Sequence, residues 1–273
     1  MTLNVNTELC KRDGFCVAVC PLGLIHMQSK DAFPSHEERE EELCIKCGHC
    51  VAICPEGALS VGDITPDRCM PIQKEKILDP EHVEHFLRFR RSIRNYSREK
   101  VPQEILSELI RVASHAPSGH NTQPVRWLVI SSEEEMKHLA ALVVDWMRTI
   151  IREFPDLADL MHLDRVVAAW ESGRDRILRS APHLIVAHAP ESERTAQSAC
   201  TIALTYLELA ATGFGLGACW AGYFNAAAGM YPPLKTRLNL PEGHQSFGAM
   251  MIGYPTYSYR RLPPRNTPVI EWR

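Results

Sequence analysis

The apolar positions of this chain divide it into stretches of distinct period. In "PQEILSELIRVA", residues 102 to 113, they recur at helical spacing behind a proline, which predicts an amphipathic helix. "RWLVIS" reads as a buried strand, and Ser132 with Glu135 forms a capping box that opens the next helix. "HLIVAH" is a second strand, residues 195 to 212 form a long, mostly apolar helix, and "QSFGAMMIGYP" is a third strand. Nearer the N-terminus, "ALSV" reads as the last strand of a smaller domain. Proline and charge thicken from Gly62 to Lys76, and Asp79-Pro80-Glu81 then supplies an N-cap, a first-turn proline and a first-turn acid. The boundary is therefore expected near residue 78, separating a domain of residues 1–78 from one of residues 79–273. Helices alternate with few strands in the larger part, as in an α+β or three-layer α/β/α domain.

Composition narrows the class. Of 273 residues, 45% are hydrophobic, enough for a sizeable core. The net charge of −3 gives no basis for a nucleic-acid partner, and no polybasic stretch points to a membrane surface. Apolar runs fall short of a spanning helix, and the N-terminus lacks the order of a signal peptide, so a cytoplasmic location is expected. Against that background the ten cysteines stand out, because eight of them lie within the first 69 residues. Without export there is no oxidising compartment for disulfides, so dense cysteine argues for metal. Cys200 and Cys219 sit in apolar surroundings and read as core residues.

"CIKCGHCVAICP", residues 44 to 55, matches the bacterial C-x₂-C-x₂-C-x₃-C-P cluster motif in full. "LCKRDGFCVAVCP", residues 9 to 21, matches it except that Asp13 holds the second position. Zinc needs two ligand pairs and does not account for three cysteines at steps of three followed by Cys-Pro. Resemblance to two-cluster ferredoxins implies two [4Fe-4S] clusters, one held by Cys44, Cys47, Cys50 and Cys20. The other takes Cys10, Cys16 and Cys54, with one corner open. Cys69, in "ITPDRCMP", would complete the eight thiolates. Asp13 is the alternative ligand through oxygen, and a three-iron [3Fe-4S] cluster is the third reading. Asp13-Gly14 also suits a plain turn, and Cys69 a buried linker. His49 either donates to cluster sulfur or is a solvated turn residue. "SHEEREEE", residues 35 to 42, reads as a solvated loop.

Three segments of the larger part carry chemistry. "FRRSIRNYS" gathers Arg90, Arg91, Ser92 and Arg94, a donor set suited to a phosphate monoester and equally to the end of a helix dipole. "HAPSGHNTQP" offers Ser118, Asn121 and Gln123 around Gly119, whose lack of a side chain permits close approach to a flat ligand. In "GFGLGACWAGYF", Gly213, Gly215 and Ala218 formally match a dinucleotide fingerprint, but it follows a helix rather than a strand and is rejected on that ground. In this order the three segments resemble the nitroreductase flavoprotein family over roughly residues 80 to 273. That resemblance implies a homodimeric α+β fold holding FMN between subunits. It implies that Arg90, Arg91, Ser92 and Arg94 hold the phosphate and ribityl chain, that Pro117, Ser118, Gly119 and Asn121 line the flavin, and that the N–H groups of Ala221 and Gly222 face its N5 and O4. Arg260 and Arg261 would return to the phosphate. One departure is local: Val125 and Arg126 precede Trp127, where many relatives carry tryptophan directly after Gln-Pro.

The expected activity is an oxidoreductase passing electrons from the clusters to FMN and on to a small electron-poor substrate such as a nitroaromatic. Ferredoxin or a similar carrier is the expected donor, because a nicotinamide-fed flavin needs no clusters. Reduction of activated alkenes or halogenated aromatics is the alternative on the same scaffold, and a non-enzymatic relay or redox sensor is the alternative outside it. No catalytic side chain is assigned; His115 and His120 are candidate proton donors beside the flavin loop. Residues 140 to 180, with Trp146, Met147, Phe154, Met161 and Trp170, form either a cap over the flavin or plain core.

Overall fold

The structure, a computed structural model, describes residues 3 to 273. The chain divides into two compact units. One runs through Leu78 and takes in His120–Thr122; the other comprises Asp79–Gly119 and Gln123–Arg273.

In the smaller unit β1 (Leu3–Val5) pairs antiparallel with β2 (Leu59–Val61). Between them lie two short helices, α1 (Phe15–Ala18) and α2 (His49–Ile53). The two cysteine motifs adopt one backbone design twice. Gly14 and Gly48, which open the helices, are left-handed at φ 74° and 73°; Gly23 and Gly57 are left-handed at 63° and 57°. More telling are Arg12 and Lys46, at φ 60° and 51°, since a residue with a Cβ enters that region only when its surroundings demand it. The hydrogen bonds repeat as well. Val17 N and Val51 N donate to Gly14 O and Gly48 O, both at 3.1 Å. Asp13 therefore occupies the same place in the first motif as Cys47 does in the second. Residues 35 to 42 depart from the solvated loop expected of them: Glu38–Leu43 form a 3-10 helix closed by reciprocal capping between Glu37 and Glu40. His26 and His36 pair with Glu40 and Glu41 at 3.3 and 3.1 Å, which gives the acidic run partners that its sequence does not reveal.

In the larger unit, Asp79 caps α3 (Pro80–Phe89) by accepting from His82 N at 2.9 Å. There follow α4 (Gln103–Ala113), β3 (Arg126–Ile130), α5 (Glu133–Glu153), α6 (Pro155–Met161), α7 (Leu163–Glu171) and β4 (His183–Pro190). The unit continues with α8 (Ala196–Gly213), β5 (Gly217–Trp220), α9 (Gly222–Met230), α10 (Pro232–Leu238) and β6 (His244–Gly253). The four strands form one antiparallel sheet in the order β3-β4-β6-β5. Central β4 is buried on both faces, so its sequence is an unbroken apolar run rather than an alternation. Leu184 and Val186 join Met147, Leu163 and Phe224 of α5, α7 and α9 in one core. Ile185 and Ala187 point the other way, to Leu109, Leu204 and Leu207 of α4 and α8. The result is a three-layer α/β/α arrangement. Trp146 and Met147 belong to the core, as the plain-core reading has it, whereas Phe154 is exposed. Ser132 accepts from Glu135 N at 3.3 Å, but the Glu135 carboxylate turns to Arg237, leaving only half of the expected capping box.

A buried histidine ties β4 to its surroundings. Val101 N donates to His183 Nε2 at 2.9 Å, so the ring proton sits on Nδ1 and is donated to Ser131 Oγ at 2.7 Å. In that tautomer His183 cannot act as a base toward Ser131. Burial lowers its pKa to about 4 from 6.5, so on acidification the unfolded chain takes up the proton first. This contribution is complete above pH 6.5 and is lost as the pH falls toward 4. His183→Gln should therefore show a stability deficit in urea denaturation at neutral pH that shrinks across that window. A deficit that stays constant with pH would show that the His183 proton plays no part.

Candidate cofactor sites

Cys20, Cys44, Cys47 and Cys50 line a single cavity of the smaller unit, with His36 and Glu40 on its wall. These are the four cysteines that resemblance to two-cluster ferredoxins assigns to one cluster. Burial, reinforced by Cys47 and Cys44 alongside, pushes the Cys50 thiol up to about 11. Four thiolates coexist there only with metal to offset their charge, and a donor set of that kind fits an iron–sulfur cube. Among the described residues no three His, Cys, Asp or Glu side chains stand close enough to hold a single ion; the thiols surround a space rather than meet at a point. Leu24 N and Ala58 N donate to Cys20 Sγ and Cys54 Sγ, both at 3.3 Å, so the Cys-Pro cysteines of the two motifs receive matching bonds. In the first motif, burial raises the pKa of Cys16, and Cys10 and Asp13 add to that effect. Asp13 Oδ1 accepts from Phe15 N at 3.1 Å. Cys69 follows the 3-10 turn Pro66–Arg68 and is half-buried. His49, the first residue of α2, is exposed but borders the thiol cavity.

In the larger unit, Ser92 bridges Ala218 of β5, and Ile93 N donates to Ala218 O at 2.9 Å. Two of the segments singled out in the sequence thus lie side by side. A Cβ on Gly217 would come within 2.5 Å of the Ile93 side chain, so glycine is required there by space. Tyr96 donates its O–H to Ile93 O at 2.6 Å and fixes the same turn. The arginines divide their roles. Arg90 is committed to Glu208 of α8 at 2.9 Å, and both side chains are largely withdrawn from water. Arg91 donates from Nη2 to Arg88 O at 2.7 Å, while its buried Nε has no partner among the described residues. Arg94 makes only a long contact, from Nη1 to Ser92 O at 3.4 Å. An orphaned guanidinium N–H in a cationic turn is what a cradle for an anionic group leaves behind. Glu208 was missed in the sequence, although a single acid within a mostly apolar helix was the available signal.

Other expected residues are placed variously. Pro117 and Ser118 border a cavity shared with Trp127 and Ala203, and Gln123 N donates to Ser118 Oγ at 2.9 Å. Gly119 lies against Thr195, where a Cβ would approach within 2.5 Å. Asn121 belongs to the smaller unit, and its amide donates to Ile45 O and Lys46 O at 3.1 and 2.9 Å. The expectation for Ala221 needs correcting: its N–H donates to Ala249 O at 3.0 Å, extending the sheet, so it does not point at a ligand. The Gly222 N–H lies at the start of α9, where helix geometry leaves it without an intrahelical acceptor. Arg260 and Arg261 are exposed in a tail free of helix and strand. The start of that tail is held by Thr256 N donating to Asn95 O at 3.0 Å. His115 and His120 are exposed. Gly213 ends α8 and Gly217 opens β5, the reverse of the strand-to-helix order of a dinucleotide loop.

Comparison with known proteins agrees with both units. Residues 87–254 match the model of the nitroreductase family, and residues 8–59 match that of a 4Fe-4S dicluster domain. An NADH dehydrogenase of Thermus thermophilus is 30% identical over 197 residues, covering 67% of this chain and 92% of that protein. An iodotyrosine deiodinase of Thermotoga neapolitana is 30% identical over 187 residues, covering 67% and 93%. A crystal structure of a nitroreductase with bound FMN from Desulfitobacterium hafniense shares the fold, with a TM-score of 0.56 at 24% identity, covering 71% of this chain and 100% of that one. The chain belongs to the nitroreductase family of oxidoreductases and carries a 4Fe-4S ferredoxin domain at its N-terminal end.

The division between the arginines is testable without any cofactor. Arg90→Ala leaves Glu208 buried and unpaired and should destabilise the larger unit by about 3 kcal/mol. Arg91→Ala removes one hydrogen bond and should cost about 1 kcal/mol or less. Urea denaturation of the two variants checks the order; equal losses would contradict it.

Proposed function

We propose that electrons enter this protein singly at iron–sulfur clusters in the smaller unit, pass to FMN in the larger one, and leave as a pair to a small, flat, electron-poor substrate. The observation that carries this reading is the presence in one chain of a four-thiol cavity and an arginine turn with an orphaned donor. When bound, FMN supplies the exchange between one-electron and two-electron chemistry. Ser92, Arg91 and Arg94 would hold its phosphate and ribityl chain, Pro117, Ser118 and Gly119 would line the ring, and the Gly222 N–H would orient it. Arg90 contributes through its pairing with Glu208, as a support for the turn. At the open corner of the second cluster Asp13 is preferred to Cys69, because it stands on the backbone design that presents Cys47 in the other motif. In the family's dimer a second copy would complete the flavin groove. The exposed Val83 and Leu87 of α3 and Ile202 and Tyr206 of α8 support such an interface.

A ferredoxin-like carrier is the proposed donor. The Thermus relative, named for NADH, is matched over 92% of its length while 67% of this chain is covered. The part of this chain beyond such relatives supplies an entry for single electrons. Nitroaromatics are the first substrate class to test. The similarity to an iodotyrosine deiodinase favours halogenated aromatics as the second.

Reduced ferredoxin should support anaerobic turnover far better than NADH or NADPH. Cys47→Ser should abolish ferredoxin-driven turnover while sparing direct chemical reduction of the flavin. Equal turnover with NADPH in both proteins would reduce the clusters to a structural role. An anaerobic panel of nitroaromatics, enones and aryl halides, read by flavin reoxidation, ranks the substrates. Arg91→Ala should purify with intact clusters and little FMN; full FMN would show that Arg91 plays no part in the cradle. Cys69→Ser should keep about eight irons per chain, the full complement of two four-iron clusters. Loss of iron from Cys69→Ser but not from Asp13→Ala would reverse the assignment of the open corner.

A further inference from the structure

The two cysteine motifs share a backbone but not their surroundings. In both, the residue before the second motif position is a left-handed basic residue, Arg12 or Lys46. Around Lys46 the smaller unit adds a clamp. Asn121 Nδ2 donates to Ile45 O at 3.1 Å and to Lys46 O at 2.9 Å, the carbonyls of the two residues between Cys44 and Cys47. One amide group thus takes both carbonyls of the turn that sets the separation of two thiols.

The clamp is itself held in an unusual conformation. His120 and Asn121 are left-handed at φ 49° and 54°, and Gln123 follows at 45°. Three such residues within four positions, none of them glycine, persist only where the surroundings over-determine them. Hydrogen bonds to two peptide carbonyls are one such determinant. A loop serving only as a connection would not hold this shape, and a side chain reserved for a flavin would not spend its donors on backbone.

We propose that Asn121 is a positioning residue for the cluster of Cys20, Cys44, Cys47 and Cys50. This inference rests on the reading that those four thiols hold a cluster, and it departs from the flavin contact that family resemblance implies for Asn121. By fixing both carbonyls of the Ile45–Lys46 turn, Asn121 keeps Lys46 left-handed and Cys44 and Cys47 at the separation that a cube requires. It ligates nothing. Its effect falls on one cluster, since the pseudo-equivalent turn Lys11–Arg12 belongs to the other.

The test uses the full-length, cluster-loaded protein and the variants Asn121→Asp and Asn121→Ala. Asp keeps the size and shape of the side chain but replaces the donors with acceptors facing two carbonyl oxygens. Ala removes the group altogether. Anaerobic protein is challenged with an iron chelator, and bleaching of cluster absorbance is followed together with FMN content and cluster spectra. Loss of a supporting contact around a metal site weakens it about 10- to 100-fold. Both variants should therefore show half of the iron leaving about 10-fold or more faster, with the other half released at the wild-type rate. One of the two reduced-cluster spectra should change while FMN content stays as in wild type. Asn121→Gln, which keeps the amide, should recover part of the chelator resistance.

Wild-type iron release with depleted FMN in Asn121→Asp would overturn the proposal and return Asn121 to the flavin. Uniform acceleration of all iron, with loss of far-UV ellipticity, would also overturn it, because the residue would then be only a general support of the fold. Wild-type protein that takes up no iron would instead overturn the cluster reading itself, so the two failures are distinct.

Discussion

The larger unit depends on the place where the Ser92–Ile93 backbone runs beside β5. Ile93 N reaches Ala218 O at 2.9 Å, and the approach is open only because residue 217 has no side chain. That contact brings a turn carrying four cationic or hydroxyl side chains onto the edge strand that leads, two residues after Trp220, into α9. Without it the arginines would be ordinary helix-end charges. With it, Arg90 can reach Glu208 and become part of the framework, while Arg91 is drawn into a buried position with a donor to spare. The ion pair and the orphan are two results of the same close approach.

The smaller unit follows a comparable logic. Left-handed residues at matching places give its two motifs the same turns, and Cys44, Cys47 and Cys50 of the second line one cavity. The geometry is costly for Arg12 and Lys46, about 1–3 kcal/mol each, and makes sense where the thiols are being aimed. Since the backbone repeats through Asp13, an aspartate at the place matching Cys47 leaves the frame intact. In the proposed assignment, an oxygen ligand from Asp13 would make one corner of one cluster chemically unlike the others and give the two clusters different electronic character.

Strands β2, β3, β4 and β6, helices α3, α4, α5 and α8 and the cysteine motifs are legible in the sequence because their signals are local: an apolar run, a period, a cap, a fixed spacing. β1 and β5, three and four residues long, are too short to show a period. What was not legible depends on pairings across the chain. Glu208 looks like an isolated acid until the fold brings Arg90 to it. Glu135 looks like a capping-box partner until Arg237 claims its carboxylate. Residues 35 to 42 look like a plain loop because nothing nearby in sequence reveals that His26 will pair with Glu40. Family resemblance gives the Ala221 N–H to a ligand, and nothing local reveals that its acceptor is Ala249, far along the chain. Family resemblance gives Asn121 to the flavin, whereas its amide donates to carbonyls beside Cys44 and Cys47.

The central claim is that clusters and flavin in one chain form a single electron route. Rapid mixing of anaerobic, fully loaded protein with a low-potential one-electron donor, followed at cluster and flavin wavelengths, tests it most directly. The account predicts that cluster absorbance bleaches first. Flavin absorbance should follow at a rate independent of both donor and protein concentration, as befits transfer within the molecule. Flavin reduction that precedes cluster bleaching, or whose rate rises with protein concentration, would contradict it.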